Sequence, residues 1–150
     1  MIYWFIGQPA TGKSTLSKLF KSTVDKFQHC ILFDGDDLRV IFGNAYSKEH
    51  FTKEYRMEET RKLQRLIEYL SNQGYAVVIS TVNPYREVRE EFKKRCEVKE
   101  IYVHKSDKRQ REKFNVVDYE EPLENFIDID TTNKTISESF KELNEKLGFI

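Results

Sequence analysis

The chain has 150 residues, 39% of them apolar and 33% charged, a balance suited to one soluble domain with one core. Lys plus Arg and Asp plus Glu are equal at 25 each, so no global field draws it to nucleic acid or to a membrane surface. No run approaches the roughly 20 apolar residues that span a bilayer, and with strand-like residues from the start no secretory signal is expected. Cys30 and Cys96 lie far apart without metal-ligand spacing and are expected to be reduced thiols of a cytoplasmic protein.

Ile2 to Ile6 is an apolar run that predicts strand one. Directly after it stands Gly7-Gln8-Pro9-Ala10-Thr11-Gly12-Lys13-Ser14, the G-x-x-x-x-G-K-[ST] spacing of a P-loop. Helix one is expected from about Ser14, with Leu16, Leu19, Phe20, Thr23 and Phe27 at helical spacing. Cys30 to Phe33 predicts strand two, ending at Asp34, and a short helix over 36–42 is broken by Gly43-Asn44. A long helix runs from near Thr52 to Gly74, with Leu63, Leu66, Ile67 and Leu70 on one face. Ala76 to Ser80 is strand three, and Pro84 is placed at the start of the next helix, whose stripe is Val88, Phe92 and Cys96. Val98 to Val103 is strand four.

Residues 104–125 are rich in Lys, Arg, Asp and Glu with few apolar anchors, which reads as a mobile, partly helical lid. Phe126 to Ile129 is a short fifth strand. Thr135 to Glu138 fits a capping box, with Ile136, Phe140, Leu143 and Leu147 as the core face of a last helix that Gly148 closes. Strands and helices alternate throughout, which predicts an α/β fold. With the P-loop, the expectation is a three-layer αβα sandwich of the P-loop NTPase type around a five-stranded, mostly parallel sheet, one domain over 1–150.

Ligands of such sheets bind beyond the carboxyl ends of the strands. After strand one, glycines let the backbone curl so that its N–H groups converge on phosphate oxygens at a helix N-terminus. Gly7 through Ser14, with Thr15, are therefore expected to hold ATP; Lys13 reaches the β- and γ-phosphates and Ser14 sits on Mg²⁺. After strand two, Asp34 or Asp36 is expected to hold Mg²⁺ or to orient an attacking hydroxyl, with Asp34 as the metal-linked acid; alternatively the acids cap the next helix, Asp36 as N-cap. Arg39, Arg56, Arg61 and Arg86 offer guanidinium forks for phosphate or sulfate, against the plainer reading of solvated helix faces. The lid carries Lys105, Lys108, Arg109, Arg111 and Lys113, among which the working cation over the γ-phosphate is open; Arg109 is assigned to ATP. Phe114 is a candidate for stacking on a base or a local packing anchor. His29, His50 and His104 fit no ligand pattern and are assigned neither metal nor catalysis.

Three motifs together, Gly7 to Ser14, Asp34-Gly35-Asp36-Asp37-Leu38-Arg39 and Asn83-Pro84-Tyr85-Arg86, resemble those of the adenylylsulfate kinase family, and the resemblance covers nearly the whole chain. The family's D-G-D-N-x-R is echoed by Asp34 to Arg39, with Asp37 in place of Asn. Its D-R-x-E-N-I-R-R is echoed by Tyr55 to Lys62, its I-S-F-I-S-P-[FY]-R by Ile79 to Arg86, and its F-T-G-I-D-x-P-Y-E-x-P by Phe114 to Pro122. The resemblance implies transfer of the γ-phosphoryl group of MgATP to the 3′-hydroxyl of adenylylsulfate, an acceptor side that includes Asp36, Arg39, Arg56, Arg61, Asn83, Pro84, Tyr85 and Phe114, and a homodimer. The family's K-G-L-Y-K-K-A lid stretch is missing, Glu59 replaces an Asn and Thr81 replaces a Phe. The acceptor side has thus changed more than the donor side, which keeps open a related nucleotide, a modified nucleoside diphosphate or a phosphorylated sugar.

Two other classes are weighed. An NTP-hydrolysing switch usually carries an acid at the end of a later strand, where strand three here ends in Ser80-Thr81, and Asn133-Lys134-Thr135-Ile136 lacks the Asp of a guanine-reading motif. A polynucleotide 5′-hydroxyl kinase needs a basic, often aromatic channel, against which the neutral charge argues.

Overall fold

The computed structural model describes residues 1–43, 52–106 and 116–149. Its strands are β1 (Ile2–Ile6), β2 (Cys30–Asp34), β3 (Ala76–Ser80), β4 (Val98–His104) and β5 (Phe126–Asp130). They form one sheet in the order β2-β3-β1-β4-β5, and every neighbouring pair is parallel. The helices are α1 (Lys13–Val24), α2 (Gly35–Ile41), α3 (Lys53–Asn72), α4 (Arg86–Arg95) and α5 (Ile136–Leu147). β1 is central, and the chain leaves it first toward β2 and later toward β4, so the switch point opens above the carboxyl end of β1.

The layers follow from strand alternation. Along β1, Tyr3 and Phe5 point into a core shared with Leu16, Phe20 and Val24 of α1 and Leu143 of α5. Ile2, Trp4 and Ile6 point into the opposite core, with Leu38 of α2, Leu63 and Ile67 of α3 and Phe92 of α4. All five β1 residues are buried, and each large apolar side chain so placed contributes about 1.5–3 kcal/mol.

The five predicted strands and five predicted core helices are present among the described residues, but three faces are turned. On α1, Leu16 and Phe20 are buried as expected, whereas Leu19 is exposed and Phe27, beyond the helix end, is 75% exposed against the Phe149 ring. Ser17 and Val24 complete the face instead; period 3.6 alone allows either of two adjacent stripes. On α3, Leu66 is exposed and Gln64 is buried, its amide donating to the Val88 carbonyl at 2.9 Å. That bond is what makes a buried amide tolerable. The capping box of α5 forms in both directions, but Ile136 lies outside a buried face that runs through Ser139, Leu143 and Asn144.

α4 starts at Arg86, two residues after Pro84. The Pro84 carbonyl instead accepts from the Glu120 N–H at 3.0 Å. Of the stretch read as a lid, 107–115 lies outside the described residues, and His104 completes β4. The part after it is fastened over the loop that follows β3. The Tyr119 hydroxyl donates to the Val82 carbonyl at 2.8 Å, and the Arg86 guanidinium donates to the Glu121 carbonyl at 2.9 and 2.7 Å. Both cysteines are free thiols, and burial pushes that of Cys30 up to about 11, which keeps it protonated and unreactive.

Candidate active site

The loop between β1 and α1 is built by its backbone. Gly7 has φ +143°, and a Cβ there would stand 2.1 Å from the Val103 carbonyl oxygen, so no side chain fits. Ala10 and Gly12 also take positive φ, 63° and 100°. Side chains lock this path. Thr11 Oγ1 donates to the Gln8 carbonyl at 3.1 Å, and Thr131 Oγ1, just past β5, donates to the Thr11 carbonyl at 2.9 Å. The Gln8 amide clasps the Val116 backbone, donating to its carbonyl at 2.9 Å and accepting from its N–H at 2.8 Å.

Helix ends differ in a way that marks this loop. α2, α3 and α5 are capped by the side chains of Asp34, Thr52 and Thr135, and α4, whose N-cap Tyr85 makes no side-chain cap, has its Arg86 N–H donating to the Glu120 carboxylate at 2.9 Å. α1 has Gly12 as N-cap, no side-chain cap and no acid in its first turn. Its positive end is left for an external anion.

Lys13 and Asp34 carry the charge of the site. The Lys13 side chain is buried, and its ammonium donates to the Gln8 carbonyl at 2.7 Å. Burial lowers its pKa to about 8, with the charges of Asp34 and Asp36 opposing. Asp34 ends β2 and is 8% exposed. Its Oδ1 accepts from the Asp36 N–H at 3.0 Å, so Asp34, rather than Asp36, is the cap of α2. Its Oδ2 is buried without a hydrogen-bond partner. A buried carboxylate oxygen left alone costs about 1–3 kcal/mol or more, so the site fits a ligand that supplies a donor or a cation at that atom. Among the described residues no group of three or more His, Cys, Asp or Glu is poised to hold a metal. The Asp34 oxygen, with Ser14 lining the same cavity, is a donor set that fits Mg²⁺, which takes one or two protein oxygens and completes its shell with water and phosphate.

A cavity of about 540 Å³ joins these groups. Its lining includes Pro9, Ala10, Lys13 and Ser14 from the β1–α1 loop, Asp34 and Asp36 at the β2–α2 junction, Arg39 of α2, Tyr55, Arg56 and Glu59 of α3, and Asn83 and Pro84 after β3. Arg56 is partly buried, which lowers its pKa; Tyr85 opposes this, and the like charge of Arg39 adds to it. Two guanidinium groups that repel each other in one cavity favour an anion between them.

Not every predicted residue joins the cavity. Arg61 is held by Glu58 at 3.1 Å and Glu91 of α4 at 3.4 Å, outside the lining. Tyr85 is the N-cap of α4, with the Lys53 ammonium 5.2 Å from its ring centroid, and it too is outside the lining. Arg109 and Phe114 lie outside the described residues. Sequence reasoning passed over others. Trp4 donates its indole N–H to Thr81 Oγ1 at 2.8 Å, at the cavity wall. Arg89, buried on α4, donates to the Asn83 carbonyl at 2.8 Å and the Glu120 carbonyl at 2.6 Å, with its ε-nitrogen 3.3 Å from Glu100. It thus props the Asn83 turn, whose φ is +44°. No sequence signal separates Arg89 from the other charges of so polar a helix.

The family model described as adenylylsulphate kinase matches residues 1–124. The adenylyl-sulfate kinase of Picosynechococcus sp. is 34% identical over 104 residues, covering 67% of this chain and 56% of that protein. The cytidine diphosphoramidate kinase of Campylobacter jejuni is 29% identical over 105 residues, covering 68% of this chain and 59% of that protein. The chain thus spans little more than half the length of these curated relatives. The solved Mycobacterium tuberculosis APS kinase CysC, in complex with AMPPNP and APS, shares the fold at a TM-score of 0.80 and 21% identity, covering 98% of this chain and 96% of that one. No described helix is long and apolar enough to cross a membrane. With more than half its length matched by the family model, the chain belongs to the adenylylsulphate kinase family.

Proposed function

We propose that this chain is an ATP-dependent kinase that moves the γ-phosphoryl group of ATP to a hydroxyl of a small anionic, nucleotide-like acceptor. The observation that carries the reading is one cavity lined by Lys13 at the open end of α1, by Asp34 with its unpartnered oxygen, and by Arg39 and Arg56. In this reading the amides of Gly7 to Thr15 cradle the phosphates and the Lys13 ammonium leaves the Gln8 carbonyl for a phosphate oxygen. Asp34 or Asp36 orients the acceptor hydroxyl and takes its proton as the O–P bond forms and ADP leaves. Arg39 and Arg56 hold the acceptor's anionic group. Ser14 and Asp34 would hold Mg²⁺, which offsets the charge that collects on the phosphate oxygens. Residues 1–150 form one kinase domain in this reading, with about 104–125 as its lid, Arg109 on ATP and Phe114 and Tyr85 on the acceptor side.

Adenylylsulfate, through its 3′-hydroxyl, is the first acceptor to test. A cytidine nucleotide is the second reading: Thr81 and Glu59 stand in the cavity where the family pattern has Phe and Asn, and the Campylobacter relative acts on cytidine diphosphoramidate by name. ADP release from MgATP, measured with adenylylsulfate, cytidine diphosphate and its phosphoramidate, phosphorylated sugars and DNA 5′ ends, tests both. Release that no acceptor accelerates would favour a hydrolytic switch and sink the kinase reading.

A further inference from the structure

We infer that Ser80 is a ligand-binding residue of this cavity, forming with Asp34 a two-oxygen seat for one O–H group of the loaded site. The inference rests on the kinase reading above. β2 and β3 are parallel neighbours in which Asp34 stands opposite Ser80, each the last residue of its strand. Partners in register project to the same face of a sheet. Both residues line the cavity, and both are more than nine-tenths buried, at 8% and 3% exposure. Asp34 Oδ2 and Ser80 Oγ each lack a hydrogen-bond partner, so they do not bond to each other either. The turn after β2 is drawn close at this point: a Cβ on Gly35 would meet the Ser80 carbonyl oxygen at 3.3 Å.

Two orphaned oxygens side by side are unusual, because buried polar atoms are nearly always paired. Their chemistry defines the missing partner. An ionised carboxylate only accepts, whereas a serine hydroxyl also donates. A group that serves both must donate to Asp34, and it either accepts from Ser80 or donates to it as well. A phosphate oxygen cannot donate to Asp34, and in the kinase reading the Lys13 ammonium is committed to phosphate. Water and an alcohol serve both, so the occupant is an O–H group: a water carried on the metal, or the hydroxyl of the acceptor.

The bland alternative is a small residue that merely fits the sheet. The two differ in sign. Removing a buried hydroxyl that no protein group uses leaves stability unchanged or raises it, whereas a structural hydroxyl is missed on unfolding. Ser80→Ala is therefore expected to melt at or above the wild-type temperature while losing about tenfold in turnover, the lower end for a residue that orients a bound group. Turnover is read with the acceptor of the panel above that gives the fastest ADP release, water included. Asp34→Asn with Ser80→Ala is expected to be no slower than Asp34→Asn alone, since both act on one group. A raised Mg²⁺ concentration for half-maximal rate identifies the metal-borne water. An altered acceptor KM or kcat at unchanged Mg²⁺ dependence identifies the acceptor hydroxyl. Wild-type turnover and Mg²⁺ dependence in Ser80→Ala, or a lowered melting temperature, overturns the inference and leaves the kinase reading intact. Wild-type protein that shows no calorimetric heat with magnesium AMPPNP overturns both.

Discussion

The P-loop part and the helical part of the cavity lining are made of different material. The end at Gly7 to Ser14 is backbone: three positive-φ residues, a helix terminus without a side-chain cap, and one lysine. The end at Arg39, Tyr55, Arg56 and Glu59 is side chain, drawn from α2 and α3, which are separate in sequence. Backbone sites demand particular residues at fixed spacing, because only glycine fits where a Cβ would strike Val103. Side-chain sites tolerate exchange, since any residue of suitable reach and charge can enter from the same helix face. The P-loop end is thus held to one pattern, while the side-chain end tolerates exchange; in the kinase reading these are the donor and acceptor ends.

Substitutions can break that contrast, the largest effect first. Lys13→Ala should fold normally and lose on the order of 10²–10³-fold in kcat, as removal of a preorganised charge does. Near-wild-type turnover in a folded Lys13→Ala protein would falsify the donor-end assignment. Gly7→Ala should destabilise by several kcal/mol, at roughly 1–3 kcal/mol for the left-handed backbone plus the clash with Val103, and should abolish nucleotide binding. An unchanged melting temperature would show that the loop can shift aside. Arg56→Ala should raise acceptor KM by roughly 10–100-fold, since a charge-assisted bond contributes about 1.5–3 kcal/mol, with ATP KM unaltered. Loss of ATP affinity instead would move Arg56 to the donor end.

The pH dependence sharpens the donor end. Burial depresses Lys13 from 10.5 to about 8 in the folded chain. The unfolded chain therefore holds more protons between these values, so stability at this group rises with pH across that window. In the kinase reading, nucleotide binding runs the other way because it needs the ammonium. The kcat/KM for ATP should fall above about pH 8, to roughly a tenth by pH 9 for a single titrating lysine. A flat profile to pH 10 would mean that Lys13 stays charged in the free protein. The smallest effect is expected at Arg61. Its partners are Glu58 and Glu91 on the surface, and such pairs contribute about 0–1 kcal/mol. Arg61→Ala should leave acceptor KM within about twofold; a tenfold rise would return Arg61 to the acceptor set.

The difference between the ends also explains what could be read early. β1, the P-loop and the start of α1 were legible because an apolar run, two glycines and a lysine constrain local conformation directly. The capping box of α5 was legible for the same reason, being a contact three residues long. Phe27 and Leu66 misled because helical period selects a stripe and leaves its exact edge to packing, which buried Ser17 and Gln64 instead. Arg56 and Arg61 look alike on paper, five positions apart on one helix. The rotation of α3 turns Arg56 to the cavity and Arg61 to Glu91.

Local covalent chemistry was enough to specify an α/β chain with a phosphate-binding loop after its first strand, since φ restrictions and hydrogen-bond spacing act within a few residues. The pairing of Asp34 with Ser80, the clasp of Gln8 on Val116 and the prop of Arg89 under Asn83 were decided only in three dimensions. The first two join residues 46 and 108 positions apart, brought together by a parallel strand order that no local propensity encodes, and Arg89, though only six positions from Asn83, is fixed from β4 by Glu100.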